Sequence, residues 1–191
     1  MLQRMQALAR TLSIVGHPVV VLPLAAALAS MRGGFDARTL AGLAGFGAVV
    51  MAWSWWQVRR GRWAHVDASG QRERRSLNRF LLLLFAAGAL LAWWLAPREV
   101  AWAIVLSLPI IALAMLSVRW CKLSLHVAFA TFAALLLWRV GPWATLLGLC
   151  FTALLAWSRL ALARHDPRDI AAGIAAGGLS GALYWLAQGA R

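Results

Sequence analysis

Near the C-terminal end of the chain, Ser158 to Asp169 reads SRLALARHDPRD. A Ser-Arg pair is followed after five residues by His165, and after three more by Asp169. Each type has a use in phosphoryl chemistry. Imidazole is the side chain whose ordinary pKa lies nearest neutrality, so it attacks or moves a proton at pH 7. A carboxylate one helical turn away reaches one imidazole nitrogen, fixes the tautomer and leaves the other nitrogen free to attack. Arg159 and Arg164 offer planar forks of donors to phosphate oxygens. Asp166-Pro167 has the signature of a helix start, an N-cap followed by proline at the first position. Asp169 then falls in the first turn of a helix, with His165 just before its cap.

Two other clusters carry similar chemistry. In Cys121-Lys122-Leu123-Ser124-Leu125-His126, Ser124 supplies a hydrogen-bond donor and His126 a general acid. The segment Arg59 to Arg79, RRGRWAHVDASGQRERRSLNR, holds Arg59, Arg60, Arg62, Arg72, Arg74, Arg75 and Arg79 near Asp67 and Glu73, which suits an anion. Each cluster also has a plain structural use: aspartates and Ser124 as helix caps, arginines as head-group anchors or a solvated loop. The case for one site rests on all three meeting on one face.

The elements that must bring them together are membrane spans. Of the 191 residues, 62% are hydrophobic and 13% charged, and the mean hydropathy is +0.72. A soluble chain carries about 25% charged residues, so this one has too little polar surface to cover itself in water. Apolar stretches occupy roughly Thr11–Met31, Thr39–Gln57, Phe80–Pro97, Val100–Val118, Leu123–Trp138, Trp143–Leu162 and Ile170–Ala187. The fifth is short and the fourth contains Pro109. The expected fold is therefore all-α, a polytopic transmembrane helix bundle of six or seven spans, in a single domain over 1–191. The arginines of Met1–Arg10 lead into an apolar run with no cleavage signature, which predicts a retained first helix.

Trp53, Trp55, Trp56, Trp93, Trp94, Trp138, Trp143 and Trp185 gather at span ends, as an interfacial aromatic belt does. Gly173, Gly177 and Gly181 give the last helix a face for close packing. The formal net charge of +13 sits in short loops between apolar runs, which predicts contact with anionic head groups and no nucleic-acid partner. Cys121 and Cys150 form no metal or redox spacing, and no carboxylate cluster suits Mg²⁺, so neither a metal nor another cofactor is expected.

These residues resemble the type-2 phosphatidic acid phosphatase superfamily of membrane lipid phosphatases over roughly residues 65–169. Ser158, Arg159, His165 and Asp169 match its third motif, Ser-Arg-x5-His-x3-Asp, at every fixed position. Its second motif, Pro-Ser-Gly-His, corresponds to Leu123-Ser124-Leu125-His126, with leucines in place of proline and glycine. Its first, Lys-x6-Arg-Pro, has only partial counterparts in His65-x6-Arg72 and Asp67-x6-Arg74, which lack the lysine and proline and leave the choice between Arg72 and Arg74 open.

The resemblance implies a metal-independent phosphatase acting on a lipid phosphomonoester or diphosphate, such as phosphatidate, phosphatidylglycerol phosphate or a polyprenyl diphosphate. His165 would attack phosphorus to form a phosphohistidine, Asp169 would orient it, and His126 would protonate the leaving group. Arg159, Ser124, Ser158 and Arg72 or Arg74 would hold the phosphate oxygens.

A prenyl or phosphatidyl transferase would need paired Asp-rich motifs for Mg²⁺, which the chain lacks. A catalytically weak lipid-binding relative or a transporter would use the same basic clusters to bind a head group without turning it over. Seven spans put Arg4, Arg10, the 59–79 arginines, Arg119, Lys122, Arg159, Arg164 and Arg168 on one face, against Arg32, Arg38, Arg98, Arg139 and Arg191 on the other. The positive-inside rule then predicts an inner-membrane protein with a cytoplasmic site and its C-terminus outside.

Overall fold

A computed structural model describes residues 2–30, 37–66, 68 and 70–189. Among them the regular structure is helical, with no strand. The helices are α1 (Leu2–Val15), α2 (Pro18–Ser30), α3 (Ala37–Arg59), α4 (Gln71–Leu95), α5 (Arg98–Val105), α6 (Ser107–Leu116), α7 (Leu125–Leu136), α8 (Pro142–Ala161) and α9 (Pro167–Gly189). The α3, α4, α8 and α9 helices are each long and apolar enough to cross a membrane, as is the run Arg98–Arg119 through α5 and α6. The chain is a multi-pass membrane protein with an all-helical bundle.

The surface is that of a lipid-facing bundle. Leu83, Leu90, Trp94, Leu116, Trp143, Leu147 and Leu186 lie exposed, while Ser107, Ser124, Thr152, Ser158, Arg159, Asp169 and Ser180 are buried. Two buried hydroxyls on helices are satisfied by the preceding turn: Ser107 Oγ donates to the Ala103 carbonyl at 2.8 Å and Thr131 Oγ1 to that of Val127 at 2.8 Å. At the ends of spans, guanidinium groups lie over indole rings: Arg59 over Trp55 and Arg60 over Trp56, both at 4.1 Å, and Arg98 over Trp93 at 4.6 Å. Trp53 is half-buried, stacked on Phe80 at 4.1 Å.

Two of the expected elements differ in shape, and the fifth stretch is short, as its sequence indicated. The first apolar stretch is bent by 53° between α1 and α2, where Gly16-His17-Pro18 interrupts the helix. Six spans result if that bent pair is one of them. The fifth stretch, Leu125–Arg139, is a shorter apolar helix. At 1.5 Å per residue it covers only about 22 Å, so its first turn starts inside the bundle rather than at its rim. The arginine-rich loop ends early, because α4 begins at Gln71. Glu73 accepts the backbone N–H of Gly70 at 2.9 Å and of Ala64 at 2.8 Å, which satisfies a helix-start donor and ties the loop down. Arg72 to Arg79 therefore ride on two helical turns. Pro109, in the first turn of α6, lacks only an N–H that has no intrahelical partner there.

The α7 helix is the axis of the bundle, with Val127, Ala128, Phe129 and Phe132 fully or almost fully buried. The α9 helix lies directly along it. A Cβ at Gly173 would stand 2.8 Å from the Ser124 carbonyl oxygen, and one at Gly177 would collide with that of Ala128. The small-residue face thus lets the two backbones touch, and sets the start of α7 beside the start of α9.

Candidate active site

The segment Cys121–Ser124 is non-helical backbone that passes from half-buried to buried, so its polar groups need partners. Asp169 and its neighbours supply them. Asp169 Oδ1 accepts the Lys122 N–H at 2.8 Å, and its main-chain carbonyl accepts the Ser124 N–H at 3.2 Å. Lys122 Nζ donates to the Arg164 carbonyl at 2.7 Å. Burial pushes the Lys122 ammonium pKa below its ordinary value, helped by neighbouring arginines. The second and third sequence clusters are therefore one hydrogen-bonded unit.

His165 reaches this unit through the turn that ends α8. The Arg164 N–H donates to the Arg159 carbonyl and the Ala163 N–H to that of Leu160, with Ala163 at φ +50°. That is a Schellman-type ending with alanine where glycine is usual. It turns the chain back so that His165 Nδ1 lies 2.9 Å from the Lys122 carbonyl oxygen and 3.4 Å from Asp169 Oδ2. A carbonyl only accepts, so Nδ1 carries the proton and Nε2 keeps its lone pair. Asp166 holds the N-cap position of α9, and its N–H donates to Asp169 Oδ2 at 3.1 Å. Burial, then Arg159 and Lys122, push the His165 pKa down to about 4, against the opposing pull of Asp169. The imidazole is neutral at pH 7, with the Nε2 lone pair available.

The expected site residues divide into three groups. His126, Arg159, His165 and Arg74 all line one cavity of about 970 Å³. Ser124 and Ser158 are fully buried, do not line it, and have hydroxyls without a hydrogen-bond partner among the described residues. Ser124 holds the N-cap position of α7, yet its side chain makes no cap. Arg72 is set apart on the outer side of α4, in a shallow groove with Trp53 and Phe80. Two residues along a helix are about 200° apart, so Arg72 and Arg74 cannot both face the cavity. Asp67 lies outside the described residues.

Pattern reading passed over three contributors. Lys122 supplies the carbonyl that holds His165. Ser13 accepts a hydrogen bond from Arg159 Nη1 at 2.6 Å. His17 lines the cavity, its ring 5.1 Å from that of His126. Only the Gly16-His17-Pro18 break inside an apolar run marked that region in the sequence. Among the described residues no group of three His, Cys, Asp or Glu side chains is placed to hold a metal ion.

From this polar end the cavity continues between α2, α3, α4 and α5 past Leu22, Phe46, Phe85 and Ala103, to Thr39 and Leu95 at the far end of the bundle. Alongside α4 from Arg74 to Leu95 that is a length of about 30 Å, the thickness of a bilayer's hydrocarbon core.

Histidines, cations and a carboxylate thus gather at one end of an apolar cavity in a multi-pass helical bundle. Residues 123–183 match the family model of the PAP2 superfamily, which supports a member of the type-2 phosphatidic acid phosphatase superfamily. The matched segment holds Ser124, His126, Ser158, Arg159, His165 and Asp169. No curated protein and no solved structure matches the chain.

Proposed function

We propose that the protein is a membrane-embedded lipid phosphatase that works through a phosphohistidine at His165 without a metal. The observation that carries this reading is the continuity of the cavity: a cationic, histidine-lined end opens into an apolar chamber long enough to hold a lipid tail. A water-soluble phosphate would have no use for the chamber, whereas each buried CH₂ of a tail contributes about 0.8 kcal/mol.

In the proposed reaction, His165 Nε2 donates its lone pair to phosphorus and the P–O bond to the lipid breaks. His126 gives its proton to the leaving oxygen. Asp169 and the Lys122 carbonyl stabilise the positive charge that grows on the His165 ring. Arg159, held by Ser13, and Arg74, Lys122 and Arg164 around the cavity end supply positive charge to the equatorial phosphate oxygens. Water, deprotonated by His126, then attacks the phosphohistidine and releases phosphate.

The test is phosphate release by the purified protein from a panel of lipid phosphates and diphosphates in detergent with EDTA present. Release from at least one long-chain substrate is expected, with short-chain analogues at least ~10-fold poorer in kcat/KM because they leave the chamber unfilled. No release from any lipid, or loss of all release with EDTA, would overturn the proposal.

A further inference from the structure

The start of α2 holds a third histidine that belongs to none of the motifs and lies outside the matched segment 123–183. His17 stands at the N-cap position of α2, followed by Pro18. Its Nδ1 accepts the Val19 N–H at 3.3 Å. An imidazole nitrogen that accepts carries no proton, so the proton of neutral His17 sits on Nε2. The ring meets His126 edge to face, with centroids 5.1 Å apart and planes at 87°. His126 is wrapped by the bundle, and its Nε2 is buried with no hydrogen-bond partner among the described residues. One turn before His17, Ser13 takes the hydrogen bond of the buried Arg159. The broken end of α1 and the start of α2 thus touch both the acid histidine and the phosphate-binding arginine of the proposed reaction.

We infer that His17 is a positioning residue for His126: it packs against that ring so that the buried Nε2 stays aimed at the leaving-group oxygen. The inference rests on the phosphatase reading. The backbone hydrogen bond to Val19 fixes His17 itself, and the bend of 53° between α1 and α2 brings it to the cavity. A straight helix through Gly16-His17-Pro18 would carry the ring away from α7. The role predicted for His17 is felt only where His126 is needed, in protonating a poor leaving group.

The experiment compares two phosphate esters with the same alkyl tail, one an alkyl ester and one a nitrophenyl ester, on the full-length protein. His17→Asn keeps an acceptor for the Val19 N–H and removes the ring. His17→Phe keeps a ring and removes the acceptor. Both variants should lose about 10-fold or more in kcat on the alkyl ester, within the 10²–10⁴-fold that a general acid supplies, and under about 3-fold on the nitrophenyl ester. In a His126→Ala background neither should cost anything further on the alkyl ester. Equal losses on the two esters, or a full additional loss in that background, would overturn the inference. Should His17→Phe not fold, His17→Asn decides alone, because the cap is retained. A wild-type protein that hydrolyses neither ester overturns the phosphatase reading itself. An active wild type whose His17 variants are indifferent to the leaving group overturns only the role of His17.

Discussion

Burial and two nearby cations hold the His165 imidazole neutral, and this fixes how activity should follow pH. A His pKa lowered to about 4 means the attacking form persists as pH falls and is lost only below that value. On a nitrophenyl ester, whose leaving group does not need the His126 proton, the kcat/KM profile, corrected for the second ionisation of the substrate phosphate near ~6, should stay flat from pH 7 to about 5. A limb centred near the ordinary histidine value would contradict the assignment. The arginines separate in the same way. Arg74→Ala should cost about 10-fold or more in kcat/KM by removing a cation from the cavity, while Arg72→Ala should stay within about 2-fold. Steady-state kinetics on one lipid phosphate checks both. At this scale the Ser158–Asp169 spacing was legible, because a helix start converts sequence spacing directly into geometry. The choice between Arg72 and Arg74 was not, because it depends on α4 beginning at Gln71. His17 and Ser13 were invisible for a different reason: their partners, His126 and Arg159, lie more than a hundred residues along the chain.

Two elements carry most of the positioning, the turn at Ala163 and the α7–α9 contact. Alanine at φ +50° is strained where glycine is not. Ala163→Gly should therefore stabilise the protein by up to about 1 kcal/mol, read as a rise in thermal melting temperature in detergent. At Gly177 a side chain would meet the Ala128 carbonyl, whereas nothing stands within 4 Å of a Cβ at Gly178. Gly177→Val should destabilise by roughly 1–3 kcal/mol or more through overpacking, and should lower activity by parting Ser124 and His126 from Asp169. Gly178→Ala should leave both melting temperature and activity close to wild type. The glycine spacing announced a close-packing face on the last helix, though not that α7 is its partner. The shortness of α7 was legible in the length of its apolar run, but the bend after Val15 was harder to see, since an apolar run reads alike whether it crosses a bilayer straight or breaks.

For the molecule as a whole, helix directions place the site and the C-terminal end apart. The α9 helix starts at Asp169 in the site and runs to Gly189 beside the end of the bundle where Arg139 pairs with Glu99 at 3.4 Å. The basic residues gather at the site end, so the charge rule predicts a cytoplasmic site end and a C-terminus outside. C-terminal fusions to one reporter active only in the periplasm and another active only in the cytoplasm should light the first. A cytoplasmic C-terminus would reverse the orientation and leave the site geometry untouched. The all-helical membrane fold was the most legible feature, because composition alone forces it. The apolar chamber was the least, because it arises between helices whose sequences each read as ordinary spans.

The central claim is that phosphorus passes through His165, and trapping that intermediate tests it most directly. Protein mixed with a lipid carrying a radiolabelled phosphate in EDTA, then quenched in alkali, should retain an acid-labile label that maps to the peptide containing His165. The label should vanish in His165→Ala, with the melting temperature in detergent preserved. Phosphate release with no label on His165, or release that survives His165→Ala in a folded protein, would contradict the account.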